Sequence, residues 1–346
     1  MKILNPLRVF TPFDKTPICR YQFNALVYEL ILANAPCLFN CKRHLCNMHR
    51  RLAFLVVFLC FTAAQAQIRA ITYNIRYNTP RDSANAWPQR LPDMRMQLLE
   101  WEFDVLGIQE GLHGQLNDLQ QALGDTYRWV GVGRDSGDLR GEFCAIFYNQ
   151  QKFTLLNDTS YTRWLSPTPL KPSKGWDAAL PRIVTFAKFK EKSSGRTFWV
   201  FNTHFDHMGS AARYESAKLI RDLVNEWSSN EPAILLGDFN CEESSAPIQW
   251  LSEHFQNTKT HSLFVKMPHS DEDPDHPERF QPSNIDKGTF NGFAKNAEHP
   301  GPTIDHVFVK QTLQLSVLHY RVDYKTRSED LYISDHYPVV VDLKFQ

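Results

Sequence analysis

At six places in this chain an apolar, β-type run begins or ends on a side chain able to do chemistry. Asn74 closes the run 70–74, Glu110 closes 104–110, and His204 closes 200–204. Asp238 and Asn240 close 235–240, Asp305 opens 304–309, and Asp335 with His336 opens 334–339. A lone Asp or Asn at a strand end is ordinarily a turn former. Six together are a different matter, because strand ends remote in sequence can converge on one mouth of a pair of packed sheets. Carboxylates gathered there collect a hard cation, and an Asn side-chain oxygen adds a neutral ligand. Magnesium takes one or two carboxylates and fills its remaining positions with water and an anionic substrate, which fits Glu110 and Asp335 with Asn74 nearby. Histidines titrate near working pH, so His204 and His336 can donate hydrogen bonds or a proton. A zinc site on His204 and His207 is a competing reading, but no third ligand follows at a telling spacing.

The elements that must position these groups are read from periodicity. Strands are expected over 68–75, 105–109, 127–132, 142–149, 183–189, 197–203, 233–236, 305–309, 315–321 and 337–344. Helices are expected over 92–101, 115–123, 211–227 and 246–254; in the third, Leu219, Ile220, Leu223, Val224 and Trp227 recur at helical spacing. So many strands with interspersed helices imply an α/β fold. The expected architecture is a four-layer α/β sandwich: two packed, mainly antiparallel mixed sheets flanked by helices, forming one domain over 67–346. The stretch 261–302, rich in Pro, Asp, His and Gly, is expected at the rim of the site.

The first 66 residues read as processing. His49, Arg50 and Arg51 precede the apolar run 52–64, and Ala64-Gln65-Ala66 offers a small-x-small cleavage site before Gln67. That is the layout of a secretory signal peptide over 48–66, too short in its core to span a bilayer stably. The expectation is a secreted or periplasmic protein whose translation starts at Met48, with 1–47 an upstream extension. Cys37, Cys41, Cys46 and His44 do not match common zinc spacings. Of 346 residues, 67–346 carry 30 basic and 36 acidic side chains, a net of −6. A domain that holds long duplexes by phosphate neutralisation would be basic, so a small or single-stranded ligand fits better. Only Cys144 and Cys241 remain after Gln67, too few for a disulfide framework. A monomer is expected.

Taken together, Gly237-Asp238-Phe239-Asn240, Ser334-Asp335-His336, Asn74-Ile75-Arg76 and Gln109-Glu110 resemble the endonuclease/exonuclease/phosphatase superfamily over essentially all of 67–346. Asn202-Thr203-His204-Phe205-Asp206-His207 and Gly288-Thr289-Phe290-Asn291-Gly292-Phe293 look like a secreted bacterial subgroup near the deadenylase and nocturnin branch. The resemblance implies a hydrolase of phosphoester bonds dependent on Mg2+, with Mn2+ as a substitute. Its substrate would be a phosphoester, with a single-stranded nucleic acid or small nucleotide among the candidates. It further implies Glu110 as main metal ligand with Asn74 and Asp335 close to the ion. Asp238 would orient or deprotonate the attacking water, and Asn240 would hydrogen-bond the phosphate. His336 would contact a phosphate oxygen, held in its tautomer by Asp305, with His204 as second catalytic histidine. Arg182 is similar to a phosphate-contacting arginine of the deoxyribonuclease branch. Arg182 and Tyr148 read equally as substrate contacts or as ordinary surface and packing residues. Trp87, Trp176 and Phe290 read as stacking platforms or core. Competing functions are a lipid or sugar-phosphate phosphodiesterase and a binding module that kept the fold without catalysis.

Overall fold

Two strand–helix–strand crossovers, one in each sheet, organise the structure. In the first, β1 (Gln67–Asn74) passes through α1 (Trp87–Trp101) into β2 (Val105–Gly111). In the second, β8 (Thr197–His204) passes through α3 (Ser210–Ser228) into β9 (Ala233–Asp238). Helix α2 (His113–Leu123) lies between the two. β1–β2 and β8–β9 are the parallel pairs; all other neighbours in the two large sheets run antiparallel. A parallel pair brings two C-terminal ends side by side, which is where open α/β sheets build their sites.

The remaining strands extend these pairs. β3 (Tyr127–Val130), β4 (Phe143–Asn149), β12 (Leu315–Val322) and β15 (Val339–Phe345) complete a six-stranded sheet in the order β12-β15-β1-β2-β4-β3. β5 (Phe153–Leu155), β7 (Ile183–Glu191), β10 (Phe255–Asn257) and β11 (Asp305–Lys310) complete the second, in the order β10-β11-β9-β8-β7-β5. β6 (Tyr161–Trp164) pairs with β7 off that path, and β13 (Thr326–Ser328) with β14 (Leu331–Tyr332) makes a small ribbon. Helix α4 is Ala246–His254 and α5 is Thr258–His261.

Period-two alternation along the strands divides the core in two directions. On β1, Ile68 and Ala70 face inward and join Val105, Phe198, Val200, Leu236, Val307 and Val341 between the sheets. Ile71 and Tyr73 face outward to Met94 and Leu98 of α1 and Leu116 of α2. On β8, Phe201 faces outward to Ile220 and Val224 of α3 and Leu251 of α4. Helix, sheet, sheet and helix therefore stack as four layers, the architecture expected from sequence.

The structure, a computed structural model, describes residues 67–262, 288–294, 301–312, 314–328 and 331–346. The expected signal segment and upstream extension lie outside the described residues, as does most of the expected rim stretch. Among the described residues no helix is long and apolar enough to cross a membrane. Cys144 and Cys241 are both buried and unpaired.

Candidate active site

Register alone places most of the expected residues together. His204 pairs with Asp238 across β8–β9, and Asp238 pairs with Asp305 across β9–β11, so three functional residues are neighbours on adjacent strands. In the other sheet Asn74 pairs with Gln109 across β1–β2. β15 runs antiparallel to β1 with Val339 opposite Thr72, so Asp335 and His336, just before β15, fall beside Asn74. Gly237 permits the close β8–β9 approach before Asp238: a Cβ there would lie 2.2 Å from Thr203 O.

At the centre, Asp238 is buried and held from several sides. Its Oδ1 accepts from Asn240 N (2.9 Å) and its Oδ2 from Asn74 Nδ2 (3.0 Å). The same Oδ2 lies 3.4 Å from His204 Nε2 and 3.7 Å from His336 Nε2. Burial pushes the Asp238 carboxyl up to about 7, against the pull of His336. His336 Nδ1 donates to Asp305 Oδ2 at 2.8 Å, and Thr289 Oγ1 donates to the same oxygen at 2.6 Å. Burial opposes charge on His336, but Asp305, Asp238 and Asp335 outweigh it and raise the ring to about 10. His204 goes the other way: burial first, then Arg182 and Arg134, drive it well below the ordinary histidine range. One ring is thus held as imidazolium and the other neutral, a separation of roles that spacing alone did not reveal.

Glu110 and Asp335 bring carboxylates to the same cleft. Glu110 accepts from Tyr77 N (3.2 Å) through Oε2 and from Asn74 Nδ2 (3.1 Å) through Oε1. Burial, against the pull of His336 and with the charge of Glu110 added, raises the Asp335 carboxyl to about 6. Arg76 Nε lies 3.8 Å from Asp335 Oδ2, but its fork is taken by Asp82. Two neighbouring carboxylates, one of which opposes the ionisation of the other, offer the oxygen ligands that suit a hard dication. Asn74 differs from expectation: its side-chain oxygen accepts from Arg76 N (3.0 Å), and its amide nitrogen bridges Glu110 and Asp238. It spans the two carboxylate groups instead of presenting its oxygen to them. Asp238, Asp305 and His336 also offer ligand atoms within 4.8 Å of one another. The short His336–Asp305 hydrogen bond occupies that nitrogen. A zinc pair of His204 and His207 is disfavoured, since Arg182 Nη2 lies 3.0 Å from His207 Nδ1 and a cation repels a bound dication.

The cleft has a volume of about 1070 Å³ and is lined by Glu110, Arg182, His204, Asp238, Asn240, Phe290, Asp335 and His336, among others. Phe290 packs edge-on to His336 with centroids 5.0 Å apart. Arg182 is buried. Its Nε lies 3.4 Å from Asp206 Oδ2, and Asp206 also accepts from the backbone N–H groups of Ala179, Leu180, Met208 and Gly209. Asp206 is the buried clasp that fixes the Arg182 loop.

Tyr148 is a correction. It packs on Phe189 at 5.1 Å and pairs across β2–β4 with Val105, the first residue of β2, whereas Glu110 stands at the other end. Because β4 runs antiparallel to β2, its cleft end is the N-terminal one, at Glu142 and Phe143. Glu142 accepts both ends of the Arg134 fork at 2.7 and 2.8 Å, and both residues line the cleft. The pair was missed; the available signal was Glu142 directly preceding the apolar run 143–147. Trp87 is core at 2 % exposed, and Trp176 is 41 % exposed and not among the cleft-lining residues.

Comparison with known proteins identifies the family. The description "Endonuclease/Exonuclease/phosphatase family" matches residues 71–336. A protein of Acanthamoeba polyphaga mimivirus is 28% identical over 280 residues, covering 77% of this chain and 95% of its own. The solved endonuclease/exonuclease/phosphatase of Bacteroides vulgatus is 32% identical with a TM-score of 0.71, covering 82% of this chain and 100% of that one. The mannosyl-6-phosphatase of Bacteroides thetaiotaomicron is 35% identical with a TM-score of 0.68, covering 80% and 100%. The family match over 71–336, more than half of the chain, places this chain in the endonuclease/exonuclease/phosphatase family.

Proposed function

We propose that this protein is a magnesium-dependent phosphoesterase acting on small phosphorylated substrates, a sugar phosphate monoester first among them. The observation that carries the reading is Asp238: one carboxylate within 3.7 Å of two histidines held in opposite charge states, beside the Glu110 and Asp335 carboxylates. A group raised to about 7 is matched to taking a proton from water near neutral pH. His336, charged and fixed by Asp305, donates from Nε2 to a phosphoryl oxygen as negative charge develops. Asn240, whose Nδ2 donates to Phe205 O at 3.0 Å, borders the same space. The Arg182 guanidinium offers planar donors suited to phosphate. Glu110 and Asp335 would hold the ion, which when bound polarises the phosphoryl oxygen and offsets its charge.

A small substrate is supported by the cleft volume of about 1070 Å³ and by the net charge of −6 over 67–346, which disfavours a long duplex. The sugar-phosphate assignment leans on the mannosyl-6-phosphatase relative. The test is phosphate release from sugar phosphates and nucleotides, and chain or headgroup cleavage of single-stranded DNA, RNA and phospholipids followed by chromatography, each with magnesium and with chelator. Turnover confined to polynucleotides would replace the substrate class; turnover of none would favour a non-catalytic module. Export belongs to the same proposal. Its basis is the signal-peptide layout over 48–66, with the expected cleavage site before Gln67. N-terminal sequencing of the native protein should return Gln67, and a protein retained with Met1 would remove this part.

A further inference from the structure

The backbone at Glu110 is held in an unusual state, and one buried side chain from the opposite sheet holds it. Glu110 has φ 62°, the left-handed region that non-glycine residues adopt at a cost. Across β2–β4, Ile108 pairs with Ala145 and Gly111 with Phe143, so β2 spends one more residue than β4 between those pairs. That is a β-bulge, a device that re-aims a side chain. Asn202 of β8 is fully buried and reaches it from across the inter-sheet core. Its Nδ2 donates to Ile108 O at 2.9 Å and to Ala145 O at 2.7 Å, the two carbonyls of the last residue pair before the bulge. Its Oδ1 accepts from Gln109 Nε2 at 2.7 Å, so the bulge residue next to Glu110 is gripped as well. Gln109 Nε2 also reaches Thr72 Oγ1 on β1 at 3.0 Å. Space for this crossing exists because residue 107 is glycine: a Cβ there would lie 2.9 Å from Asn202 and 1.9 Å from Leu236 Cδ1.

We propose that Asn202 is a positioning residue for the cation site, setting through the β2 bulge the direction in which Glu110 points. The inference rests on the reading of Glu110 as a metal ligand. Asn202 stands two residues before His204 on the same strand, so the bolt also fixes the spacing between the carboxylate of one sheet and the histidine and Asp238 of the other. A polar side chain in an apolar core is retained when all its groups are satisfied, and Asn202 uses both donors and its acceptor here. Groups that orient a ligand from behind it are worth roughly 10–100-fold in metal affinity.

The test titrates the full-length protein with Mn2+ by calorimetry, alongside thermal melts of each variant without metal. Wild type is measured first, and absence of Mn2+ binding there would sink the metal reading itself. With binding established, Asn202→Ala should weaken Kd by at least about tenfold. Gln109→Met, which removes one contact and keeps the volume, should weaken it by a smaller factor and covers the case in which Asn202→Ala does not fold. In a Glu110→Gln background the Asn202 substitution should add nothing further, because both act through one carboxylate. Folded Asn202→Ala, or Gln109→Met where the former fails to fold, binding Mn2+ with the wild-type Kd would overturn the inference. So would equal, additive losses with and without Glu110, which is the signature of a merely structural role.

Discussion

Replacing Asp305 with Asn separates the charge of the His336 partner from its shape. Asp305 Oδ2 accepts from His336 Nδ1 at 2.8 Å and from Thr289 Oγ1 at 2.6 Å, and Asn keeps an acceptor of similar size. What is lost is the anion, which heads the influences that raise His336 against the cost of burial to about 10. Without it, burial pulls the ring down toward the ordinary histidine range, opposed only by Asp238 and Asp335. The sign follows from the role: His336 must be charged to donate to an anionic oxygen, so activity is present below its pKa and lost above. At about pH 8 the wild-type ring is almost fully charged, while a ring lowered all the way to about 6.5 is charged in only ~3% of molecules, which bounds the loss at roughly thirtyfold. At about pH 6 the same variant retains roughly three quarters of the charge and the loss shrinks below about twofold. The acidic limb is set by Asp238, near 7 in the wild type; the Asp305 charge helps to raise it, so this limb moves in the variant and is fitted separately from the His336 limb. A dication on Glu110 and Asp335 lowers both limbs, so variant and wild type are compared at one metal concentration. The assay is kcat/KM across pH for phosphate release. A loss of equal size at about pH 6 and pH 8 would refute the reasoning, because Asp305 would then be acting on geometry and not on charge.

Three further outcomes follow from the packing. Gly107→Ala should cost at least about 1–3 kcal/mol, read by urea unfolding, since its Cβ would overlap Leu236; an unchanged midpoint would contradict the described inter-sheet contact. Tyr148→Phe should leave kcat and KM unaltered, because that side chain sits against Phe189 at the far end of β4; a fall in activity would return it to the site. Arg182→Lys should raise KM by about tenfold, the scale of one lost charged contact of ~1.4 kcal/mol, with steady-state kinetics as the check and an unchanged KM as the contrary result.

Much of the fold was legible because its central strands are apolar runs that stop abruptly on polar residues. β1, β2, β8, β9 and β11 all begin or end within two residues of their expected limits, and those ends are the site. Helix α1 was read as starting at Pro92 but begins at Trp87, since Pro88 is tolerated in a first turn and the buried Trp87 anchors it. β5, β6 and β10 have three or four residues each and fall below the length at which alternation can be recognised. Tyr148 was misplaced because strand direction within a sheet is a tertiary property; the same antiparallel order hid Glu142 and Arg134. The opposite charge states of His204 and His336 were equally out of reach. They depend on which cations and carboxylates surround each ring, and Arg134, Arg182, Asp238 and Asp305 come from four separate segments.

The central claim is that Asp238 and a dication act together on a phosphoester. Its most direct test is phosphate release from a sugar phosphate by wild type and Asp238→Asn, each titrated with magnesium from a chelated start. The account predicts no wild-type turnover in chelator and recovery on adding magnesium. It also predicts that Asp238→Asn, folded and still binding Mn2+, is slower by at least about a hundredfold at saturating metal, the scale of a lost general base. Wild-type turnover persisting in excess chelator, or an Asp238→Asn protein as active as wild type, would contradict it.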